Sequence, residues 1–133
     1  MLRKVKSFVG DFVRSARGIY QNKFDKYFAI PENVEEIKIG ESVEGRDIFA
    51  YKFGRKAKIR ILFMGGIHGN EVGTIKLMHR LINWLGKRRN PLGVEIFVIP
   101  CLNVDGHVKA LMNPDYFGGG RLGRFNANDV DLN

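Results

Sequence analysis

His68 and Glu71 stand three residues apart in the stretch Gly-Gly-Ile-His-Gly-Asn-Glu-Val-Gly at positions 65–73. Imidazole and carboxylate are both ligands of hydrolytic metals, and zinc is the first candidate for such a pair. Glycines on both sides leave bare backbone around the two side chains, with room for a substrate. The spacing by itself is a weak signal, because a His and a Glu at this distance recur by accident. Its weight comes from the elements that surround it.

Ile59, Ile61, Leu62, Phe63 and Met64 form a nearly continuous apolar run, the pattern of a strand covered on both faces. Gly65 and Gly66 break that run. Asn70 reads as a helix N-cap, and Ile75, Met78, Leu81, Ile82 and Leu85 then recur at helical spacing as far as Gly86. Glu71 falls in the first turn of this helix, where the helix dipole favours a carboxylate. The two candidate ligands therefore lie between the end of a strand and the start of a helix, where α/β proteins place their chemistry.

Around this unit, Val34–Ile39 and Ile48–Phe53 read as strands joined by a turn at Glu44 and Gly45, a hairpin at the sheet edge. The strand at 59–64, the helix at 71–85 and a strand at 94–99 make a βαβ unit, for which a right-handed crossover is expected. Lys87, Arg88, Arg89, Asn90 and Pro91 form a solvated exit loop. From Asn103 onward, Gly118 to Gly120 and the Asn-rich tail indicate irregular structure. The expected fold class is α/β, with a mixed, mainly parallel central sheet and flanking helices.

At 133 residues the chain is one domain by length, with enough apolar content for a real core. Cys101 is the single cysteine, which excludes an intrachain disulfide and a cysteine-built zinc site; its place at the end of an apolar strand suggests a buried thiol. No signal-peptide pattern or run of transmembrane length is found, so the expected location is the cytoplasm. The net charge is +8, and residues 1–30 hold seven Lys or Arg against two Asp. Val5, Phe8, Val9, Phe12, Val13 and Ala16 make an apolar stripe flanked by Lys4, Lys6, Arg14 and Arg17. Residues 1–30 thus read as a basic amphipathic helical extension ended by Pro31, with the domain proper at 31–133. The preferred reading is that it docks on its own domain. Weak contact of residues 1–17 with a membrane surface stays open, and no specific nucleic-acid partner is expected.

Two downstream segments, VEIFVIPCLNVDG at 94–106 and RFNANDVDLN at 124–133, join GESVEGRDI at 40–48 and the His-Gly-Asn-Glu loop. In this order they resemble the zinc carboxypeptidase family of the carboxypeptidase A type, including its bacterial murein-peptide amidase relatives, from about Ile37 to Asn133. The resemblance implies a Zn2+ held by two histidines and a glutamate, with His68 and Glu71 as the first two ligands. It implies that Asp131 orients His68, that Arg124 polarises the scissile carbonyl, and that Asn133 grips the substrate's terminal carboxylate. The third ligand and the glutamate base would lie beyond Asn133, so the chain corresponds to the N-terminal half of such a catalytic domain. His79 cannot be the missing ligand, since it lies roughly 12 Å along the helix from Glu71. His107 has no ligand counterpart in the family. Val104 stands where the family usually has proline, which loosens that turn.

The expected function is hydrolysis of a peptide or amide bond, in peptides or murein peptides, by a metallocarboxypeptidase or peptide amidase. The chain alone is expected to bind metal weakly and not to turn over. One alternative is an N-acyl amino acid deacylase of the aspartoacylase and succinylglutamate desuccinylase type, which shares the Gly-x-His-Gly-Asn-Glu motif and an Asp-Leu-Asn ending. The Asn103–Gly106 segment favours the peptidase. A third alternative, from another class, is an inactive binding module recruited to membrane or RNA by its basic helix.

Overall fold

Strand β1 (Glu35–Glu41) turns back into β2 (Asp47–Phe53); β3 (Arg60–Met64), α1 (Val72–Gly86), β4 (Glu95–Ile99) and α2 (Val104–Leu111) follow. The computed structural model describes residues 30–88, 93–113 and 120–133. The N-terminal extension, apart from Ile30, lies outside the described residues, as do Arg89, Asn90 and Pro91 of the exit loop and Gly118 and Gly119. Among the described residues, no helix is long and apolar enough to cross a membrane.

The sheet order is β1-β2-β4-β3. β1 pairs antiparallel with β2, β2 antiparallel with β4, and β3 parallel with β4. The sheet is mixed, as expected, but only one of these pairings is parallel, because the hairpin returns its second strand against β4. α1 lays Ile75, Met78 and Ile82 inward, and the latter two join Tyr51, Phe53, Val94, Ile96 and Val98 in the main core. This spacing is what a helix with one apolar stripe requires.

β3 is not the doubly covered strand that its apolar run suggests. It lies at the end of the described sheet, and Leu62 keeps 58% of its surface exposed, with Phe63 and Met64 also exposed. The buried strand is β4, one position inward, where Glu95, Ile96, Val98 and Ile99 are all buried. An apolar run reports a preference for burial, not the position of a strand within its sheet.

α2 is likewise a correction, since Val104–Leu111 were expected to be irregular. Asn103 caps this helix, its side chain accepting from the Gly106 N–H at 2.9 Å. Val104 is the first helical residue, the position where proline is also favoured, so either residue starts the helix. Eight residues are too few to show a period in sequence.

Asp105, on the same helix, is buried and accepts from Ser42 Oγ at 2.7 Å and from the Glu44 N–H at 3.1 Å. Arg46, also buried, pairs with both Asp105 and Glu44. The Gly-Glu-Ser-Val-Glu-Gly-Arg segment is thus a hairpin turn, with Gly45 at φ 75°, built to hold the carboxylate of Asp105. Removing one partner from such a buried pair strands the other, at a cost of about 3–5 kcal/mol.

His79 is buried on the inner side of α1. Burial, helped by the neighbouring His107, pushes its pKa from 6.5 down to about 4. Below pH 6.5 the unfolded chain gains a proton that the folded chain refuses until about pH 4, so stability falls as pH drops through that window. The unfolding free energy measured from pH 7.5 to 4.5 should fall by on the order of 3 kcal/mol from this group, and His79→Gln should flatten the profile.

Candidate metal centre

β3 delivers the chain into the loop that carries both candidate ligands, and backbone hydrogen bonds pin its start. The Gly65 N–H donates to Ile99 O at 2.9 Å, while Leu102 and Asn103 N–H donate to Gly65 O and Gly66 O at 3.1 and 2.8 Å. Gly66 sits at φ 59°, and a Cβ there would run into Cys101 and Ile75. The Glu71 N–H donates to His68 O at 3.1 Å, closing the turn that sets the two side chains side by side.

α1 begins one residue later than its sequence suggests. Asn70 is not the cap; its side chain donates to Gly120 O at 3.1 Å and its N–H to Gly123 O at 3.2 Å. Glu71 takes the cap position itself, outside the first turn, and makes no side-chain cap hydrogen bond. Its carboxylate is therefore left to the loop. Thr74 Oγ1 donates to Glu71 O at 2.9 Å and accepts from the Gly66 N–H at 3.1 Å, tying the helix start to the loop.

Glu71 Oε1 lies 2.9 Å from His68 Nδ1, and the other imidazole nitrogen, Nε2, lies 3.1 Å from Asp131 Oδ1. His68 itself is buried. Arg124 places Nε and Nη2 each 3.0 Å from Asp131 Oδ2, and its Nη1 3.4 Å from His68 Nδ1. Partial desolvation raises the Asp131 pKa, but hydrogen bonds from His68, the Asn133 N–H and Arg124 outweigh it and hold the carboxyl below its ordinary range. Asn133 joins the cluster through its backbone, donating to Asp131 Oδ1 at 3.2 Å, and the residue is exposed.

The tail that brings these groups in is shaped by Asn126, whose Oδ1 accepts from the N–H groups of Asn128 and Val130 at 2.9 Å each. Asp129 takes a left-handed φ of 59° in this turn, a conformation that Asp tolerates better than most residues. Asn103 reaches across to donate to Arg124 O at 2.8 Å. Gly106 and Gly123 approach so closely that a Cβ on either would collide with the other's carbonyl oxygen. Asn103 and His107 thus contribute to the site's geometry, although neither was a candidate from sequence. Their signal was the cap pattern of α2, too short to stand out.

The donor set suits zinc. Two ligands each about 2.0–2.2 Å from one ion sit about 3–3.5 Å apart, and Nδ1 and Oε1 converge at nearly that separation. With Asp131 positioned to accept from Nε2, Nδ1 is the ring nitrogen that faces Glu71 and would be open to a metal there. Among the described residues, no group of three or more His, Cys, Asp or Glu gathers in a metal-binding arrangement. His79 is buried on the inner side of α1, and His107 is buried against the loop itself, its Nδ1 2.6 Å from Gly69 O.

The profile of the zinc carboxypeptidase family matches residues 23–133, and the chain belongs to that family. The carboxypeptidase N catalytic chain of Homo sapiens is 34% identical over 110 residues, covering 71% of this chain and 24% of the relative. Carboxypeptidase Z of Gallus gallus is 32% identical over 110 residues, covering 71% and 17%. This chain therefore spans a quarter or less of the length of these relatives. A metallo-carboxypeptidase from Pseudomonas aeruginosa, solved in complex with (2-guanidinoethylmercapto)succinic acid, superposes with a TM-score of 0.57 at 26% identity, over 77% of this chain and 26% of that one. Carboxypeptidase A from Helicoverpa armigera gives a TM-score of 0.59 at 23% identity, over 83% and 30%, a likeness of fold.

If Asp131 fixes the imidazole, Asp131→Ala should weaken zinc binding by about 10 to 100-fold. Competition titration against a chromogenic chelator reads this directly, with circular dichroism to verify that the fold persists.

Proposed function

We propose that this chain supplies the first two zinc donors, the orienting carboxylate and a carbonyl-polarising arginine of a metallocarboxypeptidase site. One observation carries the reading: in a member of this family, His68 Nδ1 and Glu71 Oε1 meet at 2.9 Å while Asp131 takes the far side of the imidazole. Zinc held there would supply Lewis acidity, polarising a carbonyl and lowering the pKa of a water.

The chain's own residues account for orientation and charge. Asp131 keeps the proton on Nε2 and so holds Nδ1 toward the metal position. The same carboxylate grips Arg124 through Nε and Nη2, which leaves Nη1 3.4 Å from His68 Nδ1. A guanidinium fixed in this way stabilises negative charge developing on a carbonyl oxygen without having to reorganise. Asn133, beside Asp131 and exposed, suits the terminal carboxylate of a peptide, because an amide donates without adding a second cation near the metal. Substrates are then peptides, or murein peptides, cleaved at the bond nearest the free carboxylate.

In this chain, His68→Ala and Glu71→Ala should each abolish zinc uptake measured by calorimetry. In protein carrying the complete catalytic domain, chelation should stop release of C-terminal residues and added zinc should restore it. Arg124→Ala there should lower kcat by about 10² to 10³-fold. Zinc uptake unaffected by both ligand substitutions would overturn the reading.

A further inference from the structure

The loop from Gly65 to Gly69 is fastened, at three carbonyls, to α2 and the segment entering it. Two of these bonds are made by backbone: Leu102 N–H to Gly65 O and Asn103 N–H to Gly66 O. The third, at Gly69 O, is made by a side chain, His107 Nδ1 at 2.6 Å. A carbonyl can only accept, so the proton of this imidazole sits on Nδ1. Burial lowers the His107 pKa more than the Gly69 bond raises it, which keeps the ring neutral near pH 7.

Two features make this third fastening matter. Gly69 directly follows His68, so the bond fixes the backbone immediately beyond the candidate ligand. The loop also presses on α2 with no side chain between them, since a Cβ on Gly69 would collide with the backbone of Gly106 and His107. His107 is 1% exposed and Gly69 is buried, so water cannot readily replace the donor.

We infer that His107 is a positioning residue for the metal centre, holding the Gly66–Gly69 loop so that His68 presents Nδ1 beside Glu71. This rests on the metal reading above for its purpose, but the geometry it claims can be tested without metal. Asparagine can offer an N–H near the position of Nδ1, whereas glutamine carries its amide one bond farther out and leucine has none.

The test compares His107→Leu, His107→Asn and His107→Gln by zinc titration and by hydrogen exchange at the Asn70 and Glu71 amides, which bond to Gly123 O and His68 O. Leu and Gln should weaken zinc binding about tenfold or more and speed exchange at both amides, while Asn should restore both to within about twofold of the parent. If His107→Leu does not fold, the contrast of Asn with Gln decides. Equal behaviour of Asn and Gln, or unchanged exchange in the Leu variant, overturns the inference and leaves His107 as core packing. A parent chain that takes up no zinc would sink the metal reading alone, with the exchange rates still deciding the role of His107.

Discussion

Asn103, Asp105 and His107 lie in or beside the first turn of α2, and each ties a different part of the chain to it. Asn103 caps the helix and holds Arg124 O, Asp105 receives the hairpin turn through Ser42, Glu44 and Arg46, and His107 holds Gly69 O. All three are buried. A buried polar group without a partner is costly, so three segments far apart in sequence must dock together or leave these groups stranded. Glycines at 69, 106 and 123 let the backbones approach closely enough for this to happen. The loop that carries His68 and the arginine-bearing tail are thereby fixed to one rigid helix start.

That arrangement explains why the two candidate ligands differ so much in setting. His68 is buried and held at both ring nitrogens, whereas the Glu71 side chain is half-exposed and takes no part in capping α1. A ligand on the solvent side with no competing hydrogen bond to its own helix can turn to a cation at small cost. The imidazole, fixed by Asp131, sets the direction of approach. Arg124 depends on the same carboxylate, so the imidazole of His68 and the guanidinium of Arg124 share a single anchor.

Local pattern in the sequence carried the four strands and α1 to within two residues of their observed ends, because turn residues and apolar periods act over short spans. It did not carry position within the sheet, as the exposed face of β3 shows, nor the short helix α2. His68 and Glu71 were visible because three residues separate them. Asp131 stands 63 residues from His68, and its place beside the imidazole came only from resemblance to a family, since no local rule connects residues so far apart. The link from Asp105 to Ser42, also 63 residues long, was not seen at all, although both residues sat in segments already singled out. Glu71 was placed one residue too deep in its helix because Asn70, a good cap by type, is spent on Gly120 instead.

The chain has three histidines, so nitrogen-15 NMR of histidine-labelled protein resolves every imidazole during a zinc titration. On this account the His68 Nδ1 resonance moves to the position of a ligated nitrogen while its Nε2 stays protonated against Asp131, and His79 and His107 do not change. Ligation through Nε2 of His68, or movement of His79 or His107 in place of His68, would contradict it.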